Sequence, residues 1–239
     1  MSDLVIREVT PAIITFSKPF ARYYLIPVGG RSTAVRLGNG DVWILASTPL
    51  TPETKEALNK LGPVKYIVAG DLVHHLFLAE YKAEYPEAKV IGMKALEAKK
   101  KDAVKFDGLY GKDVPDTTYG FEPEITAVYF SGFANKDIAF FHRPSKTLIV
   151  ADLIFNLPAT EQYSRTNAWV YGSFLQPHGK AHKYLVWNLG ADKDAMKRDA
   201  QAVAEFDFER IIMCHGDVIE SGGNAAWREA YKWYLEAKL

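Results

Sequence analysis

The chain has 239 residues, 48% hydrophobic and 24% charged, which is ordinary globular composition. Its 29 basic and 29 acidic side chains balance to a net charge of zero. That balance removes the electrostatic case for nucleic acid or an anionic membrane surface as the main partner.

The single cysteine, Cys214, cannot form an internal disulfide, which fits a reducing compartment. No stretch approaches the roughly 20 apolar residues of a bilayer span, and no secretory pattern is visible. A cytoplasmic protein is the expectation.

Ala12 to Phe16, Arg22 to Ile26, Thr33 to Leu37 and Val42 to Ala46 are rich in β-branched and aromatic residues and read as strands. Glycine-rich turns separate the later ones, at Val28-Gly29-Gly30 and at Gly38-Asn39-Gly40-Asp41. Thr51-Pro52-Glu53 then offers a cap, a first-turn proline and an acid near the positive end of a helix, which Gly62-Pro63 stops. Val64 to Ala69 reads as a buried strand, followed by a polar turn carrying Asp71, His74 and His75.

From Leu76 to Tyr85 the apolar residues recur at helical spacing, and Pro86 ends the run. Lys89 to Ile91 reads as a strand and Lys94 to Lys101 as a short basic helix. Residues 101–124 lack periodicity and read as a long loop.

A second strand series covers Ile125 to Phe130, Asp137 to His142 and Thr147 to Val150, the last running into Ala151-Asp152. Residues 160–205 are helical in character, most clearly Lys193 to Phe206. Arg210 to Met213 is a strand ending on Cys214-His215-Gly216, and Asn224 to Ala237 reads as a closing helix. No linker or low-complexity stretch divides residues 1–239, so one domain is expected, with two sheets face to face and helices outside.

An apolar run ending abruptly in a polar side chain recurs before Asp71, His74 and His75, at Asp152, and at His215. Strand ends on a rigid scaffold are where ligands converge. Imidazole and carboxylate together suit zinc or iron. Plainer readings exist: His74 and His75 as helix-start hydrogen bonders, Asp152 as a turn cap, His142 as a solvated hairpin residue.

The order of elements, with the Ser47-Thr48-Pro49 turn, the histidine turn, Ala151-Asp152-Leu153-Ile154-Phe155 and the final strand into His215-Gly216, resembles the metallo-β-lactamase superfamily from about Tyr24 to Gly216. The resemblance implies an αββα sandwich with a metal site along one edge. The signature His-x-His-x-Asp-His falls on residues 70–75 and is incomplete. Gly70 and Leu72 stand where two imidazoles of a first metal site belong, and Gly132 stands near the position of a third.

What remains is a second site in which His74 replaces an aspartate while His75, Asp152 and His215 are kept. The resemblance therefore implies one divalent ion, zinc or iron, held by His74, His75, Asp152 and His215. Asp71 would serve as general base or as a further oxygen ligand. Tyr163, Arg165 and His178 follow the bridging aspartate and are candidates for substrate contact.

The expected activity is mononuclear metal-dependent hydrolysis of a small-molecule ester, lactone, amide or thioester. A degenerate relative that only binds a ligand, or a mononuclear non-haem iron redox enzyme, is the alternative. Oligomeric state is open.

Overall fold

The computed structural model describes residues 3–166 and 169–237. Its larger sheet contains β1 (Val5–Thr10), β2 (Ile13–Lys18), β5 (Gly30–Arg36), β6 (Val42–Leu45), β7 (Val64–Val68), β8 (Lys89–Met93) and β9 (Gly108–Tyr110), in that spatial order. Pairing is antiparallel from β1 to β6 and parallel from β6 to β9. A second sheet is ordered β10 (Ile125–Tyr129), β11 (Ile138–His142), β12 (Thr147–Val150), β13 (Arg210–Met213), with β12 and β13 parallel. A two-stranded hairpin, β3 (Ala21–Arg22) and β4 (Ile26–Pro27), stands apart.

Every residue of β6 and β12 is buried, as continuous apolar runs covered on both faces require. Trp43 of β6 meets Phe140 of β11 edge-on at 5.0 Å, which joins the two sheets in one core. Helices α1 (Pro52–Leu61), α2 (Leu78–Glu84) and α3 (Lys94–Lys100) cover the larger sheet through Leu58, Leu78, Tyr81 and Leu96. On the smaller sheet lie α4 (Lys180–Leu189), α5 (Lys193–Ala204), α6 (Gly223–Ala230) and α7 (Lys232–Glu236), packed through Val186, Met196, Trp227 and Tyr234. The layers run helix, sheet, sheet, helix, as expected. Among the described residues no helix is long and apolar enough to cross a membrane.

Several local expectations are corrected. Arg22 to Ile26 is not one strand: Tyr23 and Tyr24 turn back at φ 54° and 59°, and Tyr24 is 98% exposed. No core demands their β-propensity there, so the turn prevails. Residues 160–166 and 169–179 are not helical; Pro158, Gly172 and Pro177 punctuate turns, and the helix α4 begins at Lys180.

The C-terminal helix breaks at Tyr231 into α6 and α7. An edge strand, β1, precedes the first one expected; its polar Arg7 and Glu8 conceal it. His142 is buried rather than solvated, with Nδ1 2.7 Å from Ser145 Oγ.

Candidate metal centre

Three chain segments end at one edge of the sandwich: the loop after β7, the turn after β12 and the turn after β13. Because β12 and β13 are parallel neighbours, their carboxyl ends carry Asp152 and His215 to the same place. Ile138 N–H donates to Gly70 O at 3.1 Å and draws the end of the first sheet against the second. Potential ligand atoms of His74, Asp152 and His215 then all lie within 4.8 Å of one another.

Each of the three is aimed by a specific partner. Asp71 Oδ1 accepts the backbone N–H groups of Val73 and His74, both at 2.7 Å, and lies 3.0 Å from His74 Nδ1. His215 Nδ1 lies 2.6 Å from Gly29 O, which can only accept, so that nitrogen carries the proton. Asp152 Oδ2 accepts from Asn135 Nδ2 at 2.7 Å, and Asp152 N–H donates to Asp137 Oδ2 at 2.6 Å.

With both Nδ1 atoms donating, the neutral rings present bare Nε2 lone pairs to each other. His74 Nε2 and His215 Nε2 are 3.2 Å apart, and His215 Nε2 is 3.3 Å from Asp152 Oδ1. Asp152 Oδ1 is buried and has no hydrogen-bond partner among the described residues. Three acceptors thus converge with no donor between them, an arrangement that a cation satisfies. The two separations that involve His215, 3.2 and 3.3 Å, match the roughly 3.3 Å edge of a tetrahedron built on zinc–nitrogen and zinc–oxygen bonds of about 2.0–2.1 Å.

The electrostatics favour positive charge at the cluster: without a metal ion a proton on His74 Nε2 supplies it, and a metal ion would have to displace that proton. Burial opposes charge on His74, but Asp71, Asp152 and Asp137 outweigh it and push this ring up to about 9 in the metal-free protein. Burial likewise opposes ionisation of Asp152, yet His74, His215 and then Arg22 hold its carboxyl well below the usual range. Asp137, fully buried beside Asp71 and Asp152, is pushed far up.

The turn after β13 is clamped from below. Gln162 donates to Cys214 O at 2.8 Å and accepts from Gly216 N–H at 3.0 Å, bracketing His215. Fully buried Arg31 donates to Met213 O and Gly216 O, both at 2.7 Å, and pairs with Glu161 at 3.2 Å. The His215 ring is stacked between Phe155 at 5.6 Å and Phe20 at 6.1 Å. His182 Nε2 in turn accepts Phe155 N–H at 3.0 Å.

Not every expected residue joins the cluster. His75 is buried but lies outside it, with Nδ1 unpartnered and its pKa lowered by burial and then by Lys99 and Lys100. Consecutive residues of a turn point in different directions, so only one of the two neighbouring imidazoles faces the edge. Asp71 is fully buried and does not line the cavity over the cluster; its carboxylate faces His74.

Tyr163 packs with Val28, Leu157 and Ala159, Arg165 is exposed, and His178 borders a separate hollow beside Glu229. None of these three lines the cavity.

The positions of the missing imidazoles are filled. A Cβ on Gly70 would come within 2.9 Å of Ala151 Cβ and 3.2 Å of Leu45 Cδ1. One on Gly132 would come within 2.5 Å of Asp192 O at the start of α5.

Asn135, Asp137, Gln162 and Arg31 escaped the sequence reading. None of them carried a clear signal: the strand that holds Arg31 also contains Ser32, Thr33 and Arg36.

The chain has the metallo-β-lactamase fold, with a two-histidine, one-aspartate cluster at the edge of its sandwich. VMB-1 superposes with a TM-score of 0.68 at 11% identity, covering 100% of both chains. A metallo-β-lactamase from Pontibacter korlensis gives 0.63 at 12% identity, covering 98% of this chain and 100% of its own. FIM-1 from Pseudomonas aeruginosa in its mono-zinc form gives 0.63 at 13% identity, covering 98% and 97%. No protein-family profile matches the sequence, and neither does any curated protein.

Proposed function

We propose that this protein is a mononuclear metal-dependent hydrolase whose ion is held by His74, Asp152 and His215. The carrying observation is the convergence of three ligand atoms, all of them acceptors once His74 has lost its second proton. Two imidazoles and one carboxylate leave a tetrahedral ion one open position, the pattern of catalytic rather than structural zinc. A divalent ion there lowers the pKa of water and polarises a carbonyl oxygen.

The chain's own residues do the rest. Asp71 and Gly29 fix the tautomers that leave both Nε2 atoms free. Asn135 and Asp137 turn Asp152 so that Oδ1 faces the cluster. Phe20 and Phe155 shield one ligand ring from solvent. Hydrolysis adds water across an acyl bond and releases an acid with an alcohol, thiol or amine. The filled positions at Gly70 and Gly132 support one ion rather than two.

Metal analysis of protein purified without chelator should find close to one equivalent of zinc. Activity on a panel of esters, lactones, thioesters and amides should vanish on chelation and return with zinc. A preparation that neither carries nor binds a divalent ion would overturn the reading.

The same donor set also matches the facial triad of non-haem iron oxygenases, which favours a second reading. Iron in place of zinc, with oxygen consumption dependent on a ferrous centre and no hydrolysis on the panel, would establish it.

A further inference from the structure

The cavity over the cluster has a volume of about 490 Å³, within the size of small-molecule sites. Two short segments dominate its wall. One, at the end of β2 and in β3, brings Lys18, Phe20 and Arg22; the other, the loop before α2, brings Val73, Leu76 and Phe77.

The charge in this cavity is lopsided. Asp152 is the one acidic side chain among the lining residues, and it belongs to the cluster. Among the described residues the ion pair of Lys18 is a long contact of 3.9 Å to exposed Asp3, worth little in water. Among the described residues no carboxylate lies within ion-pair distance of Arg22; its charge is felt by Asp152 from farther off, and its guanidinium lies 5.4 Å from the Tyr23 ring centre. A divalent ion on the cluster would add further positive charge.

The apolar part is equally unpartnered. Phe20, Val73 and Leu76 are 50%, 45% and 67% exposed, though they border one concave site. Large apolar side chains grouped around a cavity are covered when a ligand arrives.

We propose that the cavity binds an amphipathic anion: an acyl compound whose anionic group pairs with Lys18 and Arg22 and whose hydrocarbon part lies on Phe20, Val73, Leu76 and Phe77. For the reacting carbonyl this rests on the hydrolase reading; for binding it does not. A planar fork such as Arg22 suits a carboxylate or a phosphate, and the shared chemistry is one anion at the end of an apolar chain.

The test is calorimetric titration of the full-length protein, as purified and again after metal removal, with three probes below their aggregation limits. Decanoate and decyl phosphate carry the anion; decanol carries the chain alone. Both anions should bind at least tenfold more tightly than decanol in both preparations.

Lys18→Ala with Arg22→Ala should abolish that preference while leaving decanol binding unchanged. Leu76→Asn should weaken all three. The altered positions are exposed or half-exposed, and an unchanged melting temperature would verify folding.

Equal affinity for decanol and the anions, or a preference that survives loss of both cations, would overturn the proposal. So would a preference that disappears with the metal, because the ion would then hold the anion. Charge-selective binding in a protein that carries no metal and hydrolyses nothing would refute the hydrolase reading and keep this one. If decanoate alone binds, the anion is a carboxylate; if decyl phosphate alone binds, it is a phosphate.

Discussion

Asp71 governs His74 through both backbone and ring: its Oδ1 accepts the His74 N–H at 2.7 Å and lies 3.0 Å from His74 Nδ1. One buried carboxylate therefore sets the position and the tautomer of a ligand three residues away. Asp71→Asn keeps an oxygen acceptor but removes the charge that makes the imidazole a better donor to metal. Zinc affinity, measured by competition with a chromophoric chelator, should fall about 10- to 100-fold. Unchanged affinity would mean that Asp71 only shapes the turn.

Gly70 is a packing position where the superfamily signature has a histidine. Gly70→Ala should destabilise the protein by about 1–3 kcal/mol, because the added methyl meets Ala151 and Leu45 inside van der Waals contact. Gly70→His should be worse and should not raise the metal content above one equivalent. Denaturant unfolding and metal analysis of the two variants check both statements. A folded histidine variant holding two ions would show that the side chain at position 70 alone decides whether a second ion binds.

Much of the fold is legible in the sequence because buried strands leave a local trace. Val64 to Ala69 and Thr147 to Val150 are apolar runs bounded by turn residues, and His74, Asp152 and His215 stand where such runs stop. The residues that aim those ligands leave no such trace. Gln162 works on Cys214 and Gly216 from 52 and 54 positions away, and Arg31 on Gly216 from 185.

Polar residues in irregular segments look alike until tertiary structure pairs them. The distinction between His74 and His75 is hidden for a related reason. Turn dihedrals decide which imidazole faces the edge, and composition does not encode them.

Gln162 satisfies the main chain on both sides of His215. Gln162→Ala leaves the buried Cys214 carbonyl without this partner, while Gly216 N–H keeps Val28 O at 3.1 Å, a loss of about 1–3 kcal/mol. Because the freed carbonyl immediately precedes a ligand, zinc affinity should fall in the same variant. Gln162→Glu should restore little, since an ionised glutamate cannot donate to Cys214 O. A variant that loses stability but holds zinc with unchanged affinity would show that the turn after β13 is fixed by Arg31 instead.

His182 sets an acid limit on stability. Fully buried and accepting Phe155 N–H on Nε2, it is held neutral, its pKa lowered to about 4 by burial and then by Lys183. In the unfolded chain the same ring titrates near about 6.5. The unfolded state therefore binds the extra proton first, and stability falls as pH drops from about 6.5 toward 4, by on the order of 3 kcal/mol in total. Below the folded pKa no further loss comes from this group. His182→Gln cannot take up a proton, so its urea midpoint should be lower at pH 7.5 but decline less between pH 6.5 and 4.5 than that of the parent protein. Both measurements belong on metal-free samples, where ligand protonation does not compete with ion release. Parallel pH profiles would show that Phe155 is held against His215 by packing alone, with His182 protonating freely.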